Sequence, residues 1–252
     1  MNFTLDRKKA LVTGGGSGLC KGIAEGLHEA GAEVVLLGSS SKAFDAAREM
    51  GQSGPSVYGV QADLQDKNQI EAGYQKALEY LDGRLDILVN GAGIQYRCDA
   101  LDFPAEQWEK IIRINLSAVF YMSQLAAAKM KKQGGGKIIN IASMTSFFGS
   151  VRIPAYTASK GAVAQLTKAL SNEWACYGIC VNAIAPGYMA TALTAELKEK
   201  NPGQYKEISS RIPMGRWGTA EDLKGISVFL ASEESNYITG AVIPVDGGYL
   251  GK

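Results

Sequence analysis

Histidine and cysteine are scarce in this chain of 252 residues, which has one histidine and four cysteines. Protein metal sites for zinc need clustered thiolate and imidazole ligands, and the four cysteines form no Cys-x-x-Cys pair. We therefore expect no metal site and four reduced thiols. The histidine, His28, has helical neighbours and no acidic or thiol cluster beside it. It is predicted to be exposed and to have a structural role.

Strong net charge and long apolar runs are also absent. The formal net charge is +1, so no large basic field exists to attract nucleic acid or anionic lipid. A membrane helix needs about 18 consecutive apolar residues, and a secretory signal needs an apolar core near the start; neither pattern is found. We expect a cytoplasmic protein with a small-molecule substrate, and neither nucleic acid nor membrane as a partner.

Short apolar runs alternate with helical periodicity from end to end. The predicted strands are 10–12, 34–37, 57–60, 87–89, 137–141, 181–184 and 241–245. The predicted helices lie between the first two strands and at 66–81, 104–132, 155–177 and 220–231. This alternation predicts an α/β fold with a doubly wound parallel sheet of seven strands, in one domain over residues 1–252. The segment 188–218 has no clean periodicity apart from a short helix near 195–200, and it is predicted to be a substrate lid.

A glycine-rich turn follows the first strand and opens the first helix. It reads Thr13-Gly14-Gly15-Gly16-Ser17-Gly18-Leu19. Backbone amides at a helix N-terminus can hold a pyrophosphate at this position, which makes the fold Rossmann-like. The predicted contacts of a dinucleotide in this turn are Gly14, Gly16, Ser17, Gly18 and Leu19.

The end of the second strand does not decide between NAD and NADP. An acidic residue there would bind the ribose hydroxyls of NAD, and a nearby arginine would accept the additional phosphate of NADP. This chain has Gly38-Ser39-Ser40-Ser41 instead. A serine hydroxyl such as that of Ser39 can bind either group, so both cofactors stay open.

Tyr156 and Lys160 are four residues apart, on one face of a helix predicted to begin near Pro154. A free tyrosine has a pKa of about 10. A lysine ammonium about 4 Å from the phenol oxygen, at an effective dielectric of about 20, favours phenolate by roughly 4 kcal/mol. The pKa of Tyr156 is then expected near 7, which suits a general acid or base. Ser143, at the carboxyl edge of the fifth strand, can hydrogen-bond the reacting oxygen.

These segments resemble the short-chain dehydrogenase/reductase family. Thr13, Gly14 and Gly18 match its T-G-x-x-x-G-x-G turn, with Cys20 in place of the last glycine. Asn90-Gly91-Ala92-Gly93 is similar to N-N-A-G, with Gly91 in place of an asparagine. The resemblance implies further cofactor contacts, which are Asp63, Leu64, Asn90, Ala92, Gly93, Pro186, Gly187, Met189 and Thr191.

The family's four active-site residues match Asn115, Ser143, Tyr156 and Lys160. The resemblance implies that Tyr156 is the general acid or base and that Ser143 orients the substrate. It also implies that Lys160 tunes the tyrosine and binds ribose, and that Asn115 holds a proton-relay water. Taken alone, each residue type is common on helix surfaces and at strand ends, whereas their joint occurrence behind a phosphate-binding turn favours catalysis.

Within the family, the chain is most similar to the branch that oxidises gluconate and 2-dehydro-3-deoxygluconate. A sugar-acid substrate has a carboxylate, for which a guanidinium is a matching partner. The predicted substrate contacts are Gln95, Arg97, Ser143, Arg152 and Tyr188. Two alternatives stay open: a 3-oxoacyl-carrier-protein reductase, and a dinucleotide-sensing protein without catalytic activity. The resemblance also implies a homotetramer.

Overall fold

The computed structural model describes residues 3–191 and 199–251. Seven parallel strands in these ranges form one sheet in the order β3-β2-β1-β4-β5-β6-β7. The strands are β1 (Lys9–Thr13), β2 (Glu33–Gly38), β3 (Val57–Gln61), β4 (Ile87–Asn90), β5 (Gly136–Ile141), β6 (Ile179–Pro186) and β7 (Val242–Val245). The predicted Rossmann-like sheet is confirmed.

Helices cover both faces of this sheet. They are α1 (Gly18–Glu29), α2 (Lys42–Met50), α3 (Lys67–Tyr80), α4 (Ala105–Ile112), α5 (Ala118–Gln133), α6 (Pro154–Trp174), α7 (Pro202–Ser210) and α8 (Glu221–Ala231). Alternate residues of each central strand enter different cores, because successive side chains of a strand point to opposite faces. In β1, Val12 packs in the core with α1, α2 and α8, and Leu11 packs in the core with α3, α5 and α6.

The central strands are apolar on both faces because both faces are covered. Leu36, Leu88 and Ile138 are fully buried. Burial of one such side chain stabilises the fold by roughly 1.5–3 kcal/mol. The strand order reverses between β1 and β4, and in such sheets ligands bind at the carboxyl ends of the strands beside this point.

Several predicted elements differ from the structure. The predicted helix 104–132 is interrupted by a π-helical turn, Arg113–Ser117, between α4 and α5. The short helix α2 was not predicted, because small residues form much of its buried face, Ala43, Ala46 and Ala47. Helix α7 was not predicted either, and most of the short helix expected at 195–200 lies outside the described residues.

The prediction that His28 is exposed is wrong. Its relative exposure is 9%. This residue lies on the face of α1 that packs under the loop between α2 and β3, where its Nε2 atom is 2.9 Å from the Pro55 carbonyl oxygen. The imidazole therefore ties α1 to that loop.

The helical stretch Ala105–Gln133 is long and apolar enough to cross a membrane, judged by length and composition alone. Half of its most apolar window, 50%, is buried inside the fold, and core helices of soluble proteins pass the same test. It packs on α3 and on strands β4 and β5 as part of the core.

Candidate active site

A cavity of about 580 Å³ lies at the carboxyl ends of the strands, beside the point where the strand order reverses. Many predicted cofactor contacts line it, and these are Gly14, Gly16, Ser17, Leu19, Ser39, Asp63, Leu64, Ala92, Gly93, Tyr156 and Lys160. The structure therefore brings the glycine-rich turn and the Tyr156–Lys160 pair into one cavity.

The glycine-rich turn fits a pyrophosphate. Ser17 is the N-cap of α1, and its side chain makes no capping hydrogen bond to the first helical amides. Gly18 has a φ of 60° and no heavy atom lies within 4 Å of the place where a Cβ would be. Amides at the positive end of the helix dipole thus face open space, as anion binding requires.

Thr13 and Asn90 hold the framework of this cavity. The Thr13 hydroxyl accepts hydrogen bonds from the amides of Gly91 at 3.0 Å and Ala92 at 3.2 Å. The Asn90 amide donates to the Ser123 hydroxyl and to the Asn140 side chain, both at 2.9 Å, in the buried core. The Asn90 side-chain amide is therefore engaged in the core, and contact of this residue with the cofactor stays a prediction.

The two departures from the family motifs contact each other. The Cys20 thiol donates to the Gly91 carbonyl oxygen at 3.3 Å. A Cβ atom at position 91 would overlap the Cys20 sulfur. Burial raises the pKa of Cys20 to about 11, so the thiol is neutral. Cys20, which is larger than the glycine of the family motif, thus requires glycine at position 91, where the family motif has the larger asparagine.

The sequence did not lead us to predict Lys42, a cation at the ribose end of the cavity. Ser39, Ser40 and Lys42 line it together, at the N-terminus of α2. Three donors and a helix dipole at this place suit an additional phosphate. Lys42 could have been found from its position directly after the serines.

Tyr156 lines the cavity, and Ser143 lies close to it just beyond the carboxyl end of β5. Helix α6 begins at Pro154, as predicted, which places Tyr156 in its first turn. The Ser143 side chain is near enough to the Tyr156 phenol to act on the pKa of that phenol, which it lowers. The Ser143 oxygen accepts the amide hydrogen of Thr145 at 3.1 Å, which fixes its position. An acid or base and a hydroxyl that can bind the same substrate oxygen are thus held together.

Lys160 is almost fully buried in the next turn of α6. Its ammonium donates to the Ile141 carbonyl oxygen at 2.5 Å and lies 5.7 Å from the centre of the Tyr156 ring. Burial lowers the pKa of Lys160 to about 8, so the ammonium still dominates at neutral pH.

The predicted direction of the Tyr156 pKa is wrong in this structure. Burial raises this pKa, and the Ser143 side chain opposes the rise. The physical reason is that removing the phenolate from water disfavours it, while Lys160 donates to Ile141. Ser143 is therefore the group that favours the phenolate most directly.

Asn115 lies in the π-helical turn between α4 and α5. Such turns occur frequently at functional sites. Its side-chain oxygen accepts from the Ile94 amide at 2.9 Å. Its amide group donates to the Ile94 carbonyl at 2.9 Å and to the Ser159 hydroxyl at 3.2 Å. Both polar side-chain atoms are thus engaged, and the predicted role of Asn115 in holding a relay water stays a prediction.

The predicted nicotinamide contacts follow β6, but they do not line the cavity. Gly187 donates to the Val245 carbonyl at 3.0 Å, and Met189 is buried beside Gly218. Thr191 is the last described residue before the gap. Contact between these residues, with Pro186, and a nicotinamide ring stays a prediction.

Among the predicted substrate residues, Arg152 is already paired. Its Nε atom lies 3.0 Å from the Asp99 carboxylate. Gln95 and Arg97 are exposed in the loop after β4, and Tyr188 packs between Trp217 and Tyr249. Arg211 and Tyr249 were not selected from the sequence, because they belong to no motif.

Comparison with known proteins agrees with this geometry. Residues 14–250 match the family model described as enoyl-(acyl carrier protein) reductase. The chain is 45% identical over 251 residues to the 2-dehydro-3-deoxy-D-gluconate 5-dehydrogenase of Bacillus subtilis, covering 99% of this chain and 97% of the relative. It is 47% identical to the enzyme of the same name from Dickeya dadantii, with coverages of 99% and 98%. A 3-oxoacyl-[acyl-carrier-protein] reductase from Aquifex aeolicus is 37% identical, with coverages of 98% and 99%.

Solved structures give the same result. A putative NAD(P)-dependent gluconate 5-dehydrogenase from Beutenbergia cavernae, with bound NADP at low occupancy, has a TM-score of 0.93 and 42% identity over 100% of both chains. A gluconate 5-dehydrogenase from Burkholderia cenocepacia in complex with NADP and tartrate has a TM-score of 0.93 and 38% identity, covering 100% of this chain and 98% of that one. With these matches over nearly its whole length and with its Tyr156 and Lys160 at one cavity, the chain belongs to the short-chain dehydrogenase/reductase family of NAD(P)-dependent oxidoreductases.

Proposed function

We propose that this protein interconverts a secondary alcohol and a ketone on a sugar acid, such as a deoxygluconate or ketogluconate, with NADP as the preferred dinucleotide. The observation that carries the proposal is the position of Tyr156 and Lys160 at the dinucleotide cavity, with Ser143 acting on the Tyr156 phenol. The bound nicotinamide ring supplies or accepts the hydride.

The chain's own residues handle the proton and the substrate oxygen. In the direction of reduction, the Tyr156 phenol donates its proton to the ketone oxygen while the Ser143 hydroxyl holds that oxygen. The resulting phenolate is stabilised by Ser143 and by the buried charge of Lys160. In the direction of oxidation, the same phenolate accepts the proton of the alcohol.

NADP is favoured over NAD by Lys42 and the serines at the ribose end. An additional phosphate there gains a cation and the N-terminus of α2, and no carboxylate stands at the end of β2 to repel it. The two solved relatives described above were also crystallised with NADP.

The sugar-acid class is supported by the names of the relatives at 45% and 47% identity. A 3-oxoacyl-carrier-protein reductase is the main alternative, since a relative of that name is 37% identical. A dinucleotide sensor is the alternative from another class, and the intact Ser143–Tyr156 pair argues against it.

The remaining parts of the proposal concern organisation. We propose a cytoplasmic homotetramer in which residues 1–252 form one domain, with 188–218 as the substrate lid. The lid assignment is supported by Tyr188 and Trp217, which pack together at the carboxyl edge of β6. Light scattering at micromolar concentration tests the oligomer, and a monomer would contradict it.

The direct test is absorbance of reduced nicotinamide with the purified protein. Both dinucleotides are tested against sugar acids, an uncharged ketone and an acetoacetyl thioester. We expect the highest kcat/KM with NADP and a sugar acid. Highest efficiency with the thioester favours the carrier-protein reductase, and no turnover with any substrate favours the sensor.

Replacement of Tyr156 by Phe removes the proton donor and retains the ring. We expect kcat to fall by about 10²–10⁴-fold, while the dissociation constant of NADP stays within a few-fold. Tyr177→Phe, at an exposed position just beyond α6, is the matched control. An unchanged kcat in Tyr156→Phe would exclude this mechanism.

A further inference from the structure

Aromatic rings from three different loops meet at the carboxyl ends of β5, β6 and β7. The Tyr249 ring lies 6.0 Å from Phe148 and 5.4 Å from Tyr188, measured between ring centres. The Tyr188 ring lies 5.1 Å from Trp217 on its other side. These loops follow the strands that carry Ser143 and the predicted nicotinamide contacts, so the cluster borders the catalytic site.

One arginine contacts this cluster and a second acts on it electrostatically. The Arg211 guanidinium, just after α7, lies 5.0 Å from the centre of the Tyr249 ring. Arg97 comes from the loop after β4. Burial raises the pKa of Tyr188 and the neighbouring Tyr249 raises it further, while the charges of Arg211 and Arg97 oppose the rise. Both cations therefore act on the same phenol.

Arg97 and Arg211 have no carboxylate partner within the described residues, 3–191 and 199–251. Arg48, Arg84, Arg152 and Arg216 each have a carboxylate within 4.0 Å. Arg7 and Arg113 have no such ion pair either, but they do not belong to the loops at this edge of the sheet. Two cations without a carboxylate partner, beside hydroxyl groups and next to a catalytic site, form a surface suited to an anion.

We propose that Arg211 and Arg97, together with the hydroxyls of the neighbouring Tyr188 and Tyr249, bind the carboxylate of the substrate. This inference rests on the proposed function and names the residues that select sugar acids. The Tyr249 ring orients Arg211 by a cation–π contact, which leaves the donors at the edge of its guanidinium for two parallel hydrogen bonds. Arg152 is not assigned this role, because Asp99 already occupies its guanidinium.

The test compares KM for a sugar acid with KM for an uncharged ketone, with NADPH or NADP held saturating. We expect Arg211→Ala to raise KM for the sugar acid at least tenfold and to change KM for the ketone less than twofold. Arg97→Ala is expected to act in the same direction, and Arg211→Lys to fall between wild type and Arg211→Ala. Arg48→Ala, an exposed arginine paired with Asp45, is the matched control.

A second measurement separates this inference from the proposed function. Tartrate, a small dicarboxylate, is used as a competitive inhibitor of ketone turnover, so that no sugar-acid activity is needed. We expect its inhibition constant to rise at least tenfold in Arg211→Ala. If sugar acids are not substrates but this rise occurs, the proposed substrate class fails and the anion site stands.

Two outcomes overturn the inference. One is an equal rise of KM for the sugar acid and the ketone in Arg211→Ala, with an unchanged inhibition constant for tartrate. The other is a selective effect that appears in Arg152→Ala and not in Arg97→Ala or Arg211→Ala. Thermal unfolding of each variant confirms that it is folded before kinetics are compared.

Discussion

The two halves of the active site are built in different ways. The dinucleotide half uses backbone amides, small residues and buried polar side chains on β1, β2 and β4, so its shape is fixed by the core. The proposed substrate half uses side chains from separated loops, of which Arg97 and Arg211 are exposed. The dinucleotide half carries the motifs of the family, whereas the substrate half can change without disturbing the sheet.

In the dinucleotide half, the largest expected effect on the free energy of unfolding comes from Lys160→Met, which removes a buried charge. The folded-state pKa of about 8 lies below the ordinary value of 10.5, so burial of the ammonium destabilises the fold by about 3 kcal/mol at pH 7. Between pH 8 and 10.5 the unfolded chain binds the proton that the folded protein has released, so this penalty disappears as pH rises.

Chemical denaturation at several pH values measures this effect. We expect Lys160→Met to gain free energy of unfolding relative to wild type at pH 7, and that gain to shrink as pH is raised from about 8 to 10. Loss of the hydrogen bond to Ile141 subtracts about 1 kcal/mol at every pH. Lys168→Met, an exposed lysine on the same helix, serves as the control. A difference that does not change with pH would contradict the assignment.

Substitutions at the contact between Cys20 and Gly91 test how tightly the dinucleotide half is packed. Gly91→Asn restores the family's motif but overlaps the Cys20 sulfur, and we expect it to destabilise the fold by about 1–3 kcal/mol. Combination with Cys20→Gly removes the overlap with the sulfur but leaves the Thr13 carbonyl oxygen 2.9 Å from the added Cβ, so it is expected to recover part of that loss. Urea denaturation of the two single variants and the double variant gives the coupling energy. Additive effects would show that the two positions are independent.

The smallest expected effect concerns Lys42, which is exposed although it lies at the dinucleotide half. We expect Lys42→Ala to raise KM for NADP by roughly three- to tenfold, equivalent to about 1 kcal/mol, and to leave KM for NAD nearly unchanged. Lys132→Ala, an exposed lysine at the end of α5, is the matched control. An equal change for both dinucleotides would remove Lys42 from phosphate recognition.

The dinucleotide half was largely predictable from the sequence. The turn from Thr13 to Leu19 is one short run of sequence, and Tyr156 and Lys160 are four positions apart. Because the residues within each set are close in sequence, strand and helix periodicity places both sets correctly. The motif gives the position of Asn90 but does not give the direction of its side chain. Its amide points into the core, where Ser123 and Asn140 bind it.

The substrate half could not be predicted in the same way. Arg211 and Tyr249 are 38 positions apart and follow no periodic pattern, so only the folded chain shows that they touch. The ion pair of Arg152 with Asp99 could not be predicted for the same reason, since it is visible only in three dimensions. The Tyr156 pKa was misjudged because a sequence gives the nearby charge but not the depth of burial.

The packing of Trp217 has an optical consequence. Its indole is stacked on Tyr205 at 4.8 Å and lies 5.1 Å from Tyr188, whereas the two other tryptophans, Trp108 and Trp174, are on α4 and at the end of α6. Because this indole contacts Tyr188, we expect its emission to change when an anion binds at the proposed site. The chain thus contains a native fluorophore with which ligand occupancy can be followed without any turnover.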